Sequence, residues 1–204
     1  MLEVIELAAQ RGSTRLFSSL SFRVEPGSAL FITGANGTGK TTLLRILAGL
    51  GAPIAGHVRW RGVDVKPFAP SLRQEALYSG HLTALKDELT AEENLAALVS
   101  LTGEAMESAH IHDALAKVAL ARQAGLPARV LSQGQRRRVC LARLSLSRRP
   151  LWLLDEPATA LDTEGIALLK QLLSAHLEGG GTALVATHHA LDLPTSQFRA
   201  LALS

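Results

Sequence analysis

The chain has 204 residues, 47% of them hydrophobic, with 21 Lys and Arg against 18 acids and a net charge of +3. That length suits one sizeable α/β domain with room for a small inserted subdomain, and the apolar content excludes a mainly disordered chain. The basic excess gathers in Arg136, Arg137, Arg138, Arg143, Arg148 and Arg149 and is no nucleic-acid tail, while a single cysteine, Cys140, allows no internal disulfide.

No stretch of about 18 uncharged apolar residues is present, so no helix is expected to span a bilayer. The N-terminus lacks a basic segment followed by an apolar run, so it does not read as a signal peptide. The expected location is the cytosol, unless a partner holds the chain at a membrane. Cys140 lies in an apolar helical context and is expected to be a buried small hydrophobe.

In chain order, Leu2 to Leu7 and Leu20 to Val24 read as strands around a polar turn, Gln10 to Arg15, and Pro26-Gly27 makes the next turn. Ala29 to Thr33 is a short apolar run that ends in a glycine loop, the pattern of a buried parallel strand. Lys40 to Ala48 reads as a helix with Leu43, Leu44 and Leu47 on one side, ended by Gly49. His57 to Arg61 alternates like an edge strand. Thr90, with Glu93 three residues on, is a capping-box pattern that opens a helix to Leu101, and Ala105 to Arg122 is a second helical stretch. Ser132 caps a third helix running to about Ser147. Leu151 to Leu154 is a buried strand, Gly165 to Leu177 a helix, Thr182 to Thr187 a strand, and Arg199 to Leu203 a last one. Strands alternating with helices predict a parallel sheet covered on both faces.

Two motifs carry chemistry on their own. Gly34-Ala35-Asn36-Gly37-Thr38-Gly39-Lys40-Thr41 fits G-x-x-x-x-G-K-[ST] in full, between a predicted strand and a predicted helix. Such glycines let successive N–H groups point at phosphate oxygens, and the helix N-terminus adds partial positive charge. Lys40 is expected on the β- and γ-phosphates and the Thr41 hydroxyl on Mg²⁺, with Thr42 completing the loop. The second motif is the apolar run Leu151-Trp152-Leu153-Leu154 ending in Asp155-Glu156-Pro157. In a parallel sheet the ligand crevice lies at the carboxyl ends of the strands, so Asp155 is expected to hold Mg²⁺ and Glu156 to act as general base towards water.

A third motif points to a family. Leu131-Ser132-Gln133-Gly134-Gln135, at a predicted helix start, resembles the LSGGQ signature of ATP-binding cassette proteins, with Gln133 in place of the usual first glycine. Ala160-Leu161-Asp162 resembles that family's D-loop, and Thr187-His188 after a strand resembles its switch histidine. The resemblance covers essentially the whole chain. It implies a P-loop NTPase of α/β class, with a mostly parallel sheet core, an antiparallel N-terminal β part and an inserted helical subdomain. That subdomain is placed at about residues 85–145, between core segments 1–84 and 146–204. It further implies ATP and Mg²⁺ as cofactors, ATP hydrolysis, and a homodimer. In that dimer Ser132, Gln133, Gly134 and Gln135 of one chain face the γ-phosphate held by the other. His188 contacts that phosphate, and His189 is left as a surface residue. His81 stands where the family usually has a metal-sensing glutamine, and Arg11 where an aromatic residue usually stacks on adenine. The run Arg136 to Arg138 is expected to be a solvated face and part of a phosphate-side environment.

Within the family, the chain is most similar to the haem-exporter ATPase subunits of bacterial cytochrome c maturation. Leu16-Phe17-Ser18-Ser19-Leu20-Ser21-Phe22, Gly80-His81 followed by Leu85-Lys86, and Pro150 to Pro157 carry this resemblance. It implies integral membrane subunits of a haem-handling complex as partners, at the cytoplasmic face of the bacterial inner membrane. No nucleic acid and no direct haem contact are expected. A cassette ATPase serving another substrate, a soluble cassette ATPase acting on nucleic acid or ribosomes, and a non-hydrolysing binding module are the alternatives. The second usually carries two cassettes or long coiled-coil insertions. The third is opposed by the presence of Lys40, Asp155, Glu156 and His188 together.

Overall fold

The computed structural model describes residues 1–101, 103, 106–188 and 198–203. Ala105, the expected start of the second inserted helix, and His189 lie outside them. The elements follow in the order β1 (Leu2–Arg11), β2 (Thr14–Val24), β3 (Ala29–Thr33), α1 (Lys40–Leu47), β4 (Ala55–Trp60), β5 (Val63–Val65), α2 (Pro70–Glu75) and β6 (Ala76–Ser79). Then come α3 (Ala91–Ser100), α4 (Ser108–Lys117), two short 3₁₀ turns, α5 (Gln133–Leu146), β7 (Leu151–Asp155), α6 (Thr163–Glu178), β8 (Thr182–Ala186) and β9 (Phe198–Ala202).

Two sheets form. Strands β2-β1-β4-β5 make an antiparallel sheet, and β6-β7-β8-β3-β9 make a parallel one. The fold is therefore mixed α/β, with an antiparallel N-terminal part and a parallel core. Two expectations about the antiparallel strands differ from the structure. The first hairpin strands run on to Arg11 and back from Thr14, so the polar turn is much shorter than Gln10 to Arg15. Cross-strand pairing carries the polar residues into the ladder, which local composition does not reveal. The strand around His57 is not an edge: β4 pairs with β1 on one side and with β5 on the other. Its alternation reflects one solvated sheet face rather than an open ladder. The short strands β5 and β6 and helix α2 carry no periodicity long enough to announce them.

By contact the chain divides into two units, Met1–Gly80 with Arg149–Pro157 and Leu173–Ser204, and His81–Arg148 with Ala158–Leu172. In the first, α1 buries Leu43, Leu44 and Leu47 in the same core as Ile32 of β3, Leu151 and Leu153 of β7, and Leu184 of β8. The helix ends where Gly49 turns left-handed and the N–H groups of Gly49 and Leu50 donate to the carbonyls of Ile46 and Arg45, a Schellman closure. Trp152 stacks on His176 with ring centroids 3.9 Å apart.

In the second unit α3, α4 and α5 pack together through Leu95, Leu98, Ile111, Leu115, Val139 and Leu144, all buried. Thr90 caps α3 with the reciprocal Glu93 bond, as its sequence predicts. The long second helical stretch is broken: α4 stops at Lys117, and Ala119 takes a positive φ of 58° before the first 3₁₀ turn. Cys140 is buried, its thiol 3.7 Å from the Thr83 carbonyl, and burial pushes its pKa up. It is the inert core residue that its context predicts.

Candidate active site

Strands β3, β7 and β8 are neighbours in a parallel sheet, so the segments that follow them leave from one edge. Those segments are the glycine loop, the Asp155-Glu156 pair and Thr187-His188. The sheet register binds them there: Glu156 N–H donates to the Ala186 carbonyl at 2.8 Å and Thr187 N–H to the Ile32 carbonyl at 3.1 Å.

The glycine loop leads into α1 through Gly39, which sits left-handed at φ 103° as the N-cap and offers no capping side chain. A Cβ on Gly39 would lie 3.0 Å from Leu16 Cβ and 3.1 Å from Phe17, besides the strain of that φ, so only glycine fits. The loop crest Ala35, Asn36 and Gly37 is exposed, whereas the Lys40 side chain is buried against its own loop. Lys40 Nζ donates to the carbonyls of Gly34 at 2.7 Å and Ala35 at 3.1 Å, which holds the ammonium across the mouth of the loop. Thr42 is half-buried on α1, and Arg11 is exposed at the end of β1.

Thr41 Oγ1 donates to Asp155 Oδ2 at 2.8 Å. A hydroxyl and a carboxylate in contact form a hard-oxygen pair suited to Mg²⁺, which takes one or two protein oxygens and fills its sphere with water and substrate phosphate. Among the described residues no cluster of three His, Cys, Asp or Glu is arranged as a metal cage. The Thr41–Asp155 pair fits an ion that arrives with phosphate. Burial, and then the Asp155 carboxylate, hold the Tyr78 phenol above its ordinary pKa.

Glu156 is 8% exposed and adopts φ 51°, which a non-glycine residue takes only under constraint. His188 Nδ1 lies 2.8 Å from Glu156 Oε1. The other oxygen, Oε2, is buried and has no hydrogen-bond partner among the described residues. A buried carboxylate oxygen left open costs free energy unless a ligand or water uses it.

The remaining predicted residues lie in the second unit. Ser132 caps α5: its hydroxyl accepts from Gln135 N–H at 3.2 Å, and Gln135 Oε1 accepts from Ser132 N–H at 2.9 Å. Gln133 is exposed in the first turn, so a side chain is tolerated where the signature has glycine. Gly134 is different, because a Cβ there would lie 2.9 Å from the Ala160 carbonyl. Asp162 Oδ1 accepts from Gly165 N–H at 2.9 Å and so caps α6. That bond, and then Arg138, hold the Asp162 carboxyl below its usual pKa. The His81 side chain is exposed, and its carbonyl accepts from Arg137 Nη2 at 2.8 Å.

The arginine run is not a solvated face. Arg136 pairs with Asp87 at 2.8 Å, Arg137 is 5% exposed, and Arg138 grips Asp162 through Nη2 at 2.7 and 3.0 Å. Three consecutive residues point in three directions from a helix, so each found its own partner. Asn94 is not among the residues the sequence singles out. Its amide donates to the carbonyls of Lys86, Leu89 and Thr90 and its oxygen accepts from Lys86 N–H, which fixes the segment before α3. The available signal was a polar residue among apolar ones, four places after the cap.

The ABC transporter family model matches residues 17–159. The chain is 51% identical over 183 residues to the cytochrome c biogenesis ATP-binding export protein CcmA of Methylococcus capsulatus, spanning 90% of this chain and 88% of that one. It is 47% identical to the protein of the same name from Nitrosomonas europaea, over all of this chain and 96% of that one. Among solved structures, an ATP-binding cassette dimer in a post-hydrolysis state with ADP and Pi bound matches with a TM-score of 0.78 at 26% identity, covering 93% of this chain and 88% of that one.

Proposed function

The chain belongs to the ABC transporter family, and from that premise we propose that it is the ATP-hydrolysing subunit of a membrane complex for cytochrome c maturation. Hydrolysis would drive haem export or the release of a haem-loaded chaperone. Support comes from relatives named as cytochrome c biogenesis export proteins along the full length of the chain. The observation that carries the catalytic half is the Thr41–Asp155 contact at 2.8 Å, which brings the phosphate loop and the β7 carboxylates to one place.

In this reading the first-turn N–H groups of α1 and the Lys40 ammonium bind the β- and γ-phosphates, with Gly34 to Thr42 as the cradle and Arg11 against the base. Thr41 and Asp155 would hold Mg²⁺, and the ion would neutralise phosphate charge. Glu156 Oε2 accepts a hydrogen bond from the attacking water while Oε1 stays with His188. The water oxygen bonds to the γ-phosphorus, the bond to the β-bridging oxygen breaks, and Glu156 takes the proton. Ser132, Gln133, Gly134 and Gln135 of a second copy close over the γ-phosphate, with Asp162 at the seam. The region of about residues 85–145 is then the helical subdomain that carries this signature. None of the described helices is long and apolar enough to cross a membrane. Membrane subunits would therefore hold the dimer at the cytoplasmic face of the inner membrane, without direct haem contact.

The test is capture of the tagged chain from detergent-solubilised native membranes, with mass spectrometry of what accompanies it. Haem-handling integral membrane subunits are expected. An unrelated permease would overturn the cytochrome c assignment and leave the ATPase, and no membrane protein at all would overturn the membrane complex.

A further inference from the structure

Arg138 has no part in the scheme above, yet its surroundings are specific. Its side chain is 12% exposed. Nη2 donates to both carboxylate oxygens of Asp162, Nη1 donates to the Val118 carbonyl at 3.1 Å, and Glu164 Oε2 lies 3.7 Å away. Arg138 sits one helical turn after Gly134, on the same face of α5. Gly134 is the residue whose missing Cβ admits the Ala160 carbonyl. One face of α5 therefore grips the turn from Ala158 to Asp162 at two points, Gly134 on Ala160 and Arg138 on Asp162. That turn follows Glu156 closely in sequence and holds Ala160 at a positive φ of 63°. Ser132, Gly134, Gln135, Arg138 and Asp162 together line a cleft of about 480 Å³.

We propose that Arg138 is a positioning residue for ATP hydrolysis: through Asp162 it locks the turn that follows Glu156 to the capped start of α5. This rests on the reading of the chain as an ATPase whose signature acts on a second copy's nucleotide. The planar guanidinium is what the role requires: Nη2 holds both oxygens of Asp162 while Nη1 holds the Val118 carbonyl, which fixes orientation as well as distance. A lysine would keep the charge and lose that rigid plane.

The experiment uses the full chain in its membrane complex, with Arg138→Gln, Asp162→Asn and the double variant. Asparagine still caps a helix, so Asp162→Asn leaves α6 capped and removes only the charge pair. Each single change is expected to lower kcat about tenfold, with KM for MgATP moved less than about twofold. The double variant is expected to be no slower than either single one, since both remove one interaction. Arg138→Lys should recover only part of the loss. Full activity in Arg138→Gln, or losses that multiply in the double variant, would overturn the proposal. So would a fall in kcat that tracks a fall in Tm, which marks a structural role alone. If the unaltered complex hydrolyses no ATP, the ATPase reading fails, and the inference with it.

Discussion

Two helix starts that the proposed function assigns to phosphate are finished in opposite ways. Helix α1 begins at Gly39, a left-handed residue with no side chain to cap anything. Helix α5 begins at Ser132 with a complete capping box, so its hydroxyl and the Gln135 amide oxygen already serve two N–H groups, those of Gln135 and Ser132. The glycine start leaves its first-turn donors to water or an anion, whereas the capping box has already filled two of the donors at the other start. The first design suits tight, standing capture of a phosphate chain. The second suits a contact made and broken in each cycle.

The largest effect that would break this contrast concerns the uncapped site. Lys40→Ala should abolish ATP binding or nearly so, measured by titration calorimetry, because the loop loses its only buried ammonium among the described residues. Retained affinity would mean that the N–H groups of α1 suffice. Next, Glu156→Gln should slow hydrolysis by about 10³-fold, within the usual range for a general base, while ATP binding persists. Size-exclusion chromatography with ATP should then show a trapped dimer, and hydrolysis at the unaltered rate would remove Glu156 from the base role.

Smaller changes sharpen the comparison. Ser132→Ala removes the α5 cap and should cost about 1 kcal/mol in urea unfolding. A mutant that unfolds like the parent would mean the box contributes nothing at that end. Smallest is a pH effect confined to the unit that carries α1. Burial against Trp152 lowers the His176 pKa, only partly opposed by the Thr182 carbonyl. Between the ordinary histidine value of about 6.5 and the lowered folded value, the unfolded chain binds more protons than the folded one. Stability should therefore decline as pH falls from about 7 towards 5, and His176→Gln should flatten that slope in thermal melts.

Much of the site was legible because its chemistry is local. A glycine loop between strand and helix, two acids after an apolar strand, and a serine before Gln135 each declare a backbone conformation within a few residues. The arginine run was misread for the opposite reason. Arg136, Arg137 and Arg138 look alike in sequence, and only their partners Asp87, the His81 carbonyl and Asp162 tell them apart. The short strands β5 and β6 were missed because three or four residues cannot display a period.

By itself the sequence determined the capped helix starts, the buried strands β3, β7 and β8 and the phosphate loop, since capping, hydrophobic runs and glycine geometry act over one or two turns of chain. Only the tertiary structure decided which of these meet. Thr41 reaches Asp155 across 114 positions, Glu156 reaches His188 across 32, and Arg138 reaches Asp162 across 24. Strand order in the parallel sheet brings the first two pairs together, and helix packing the third. Neither is written in any local stretch, because both depend on apolar faces finding each other after the elements have formed.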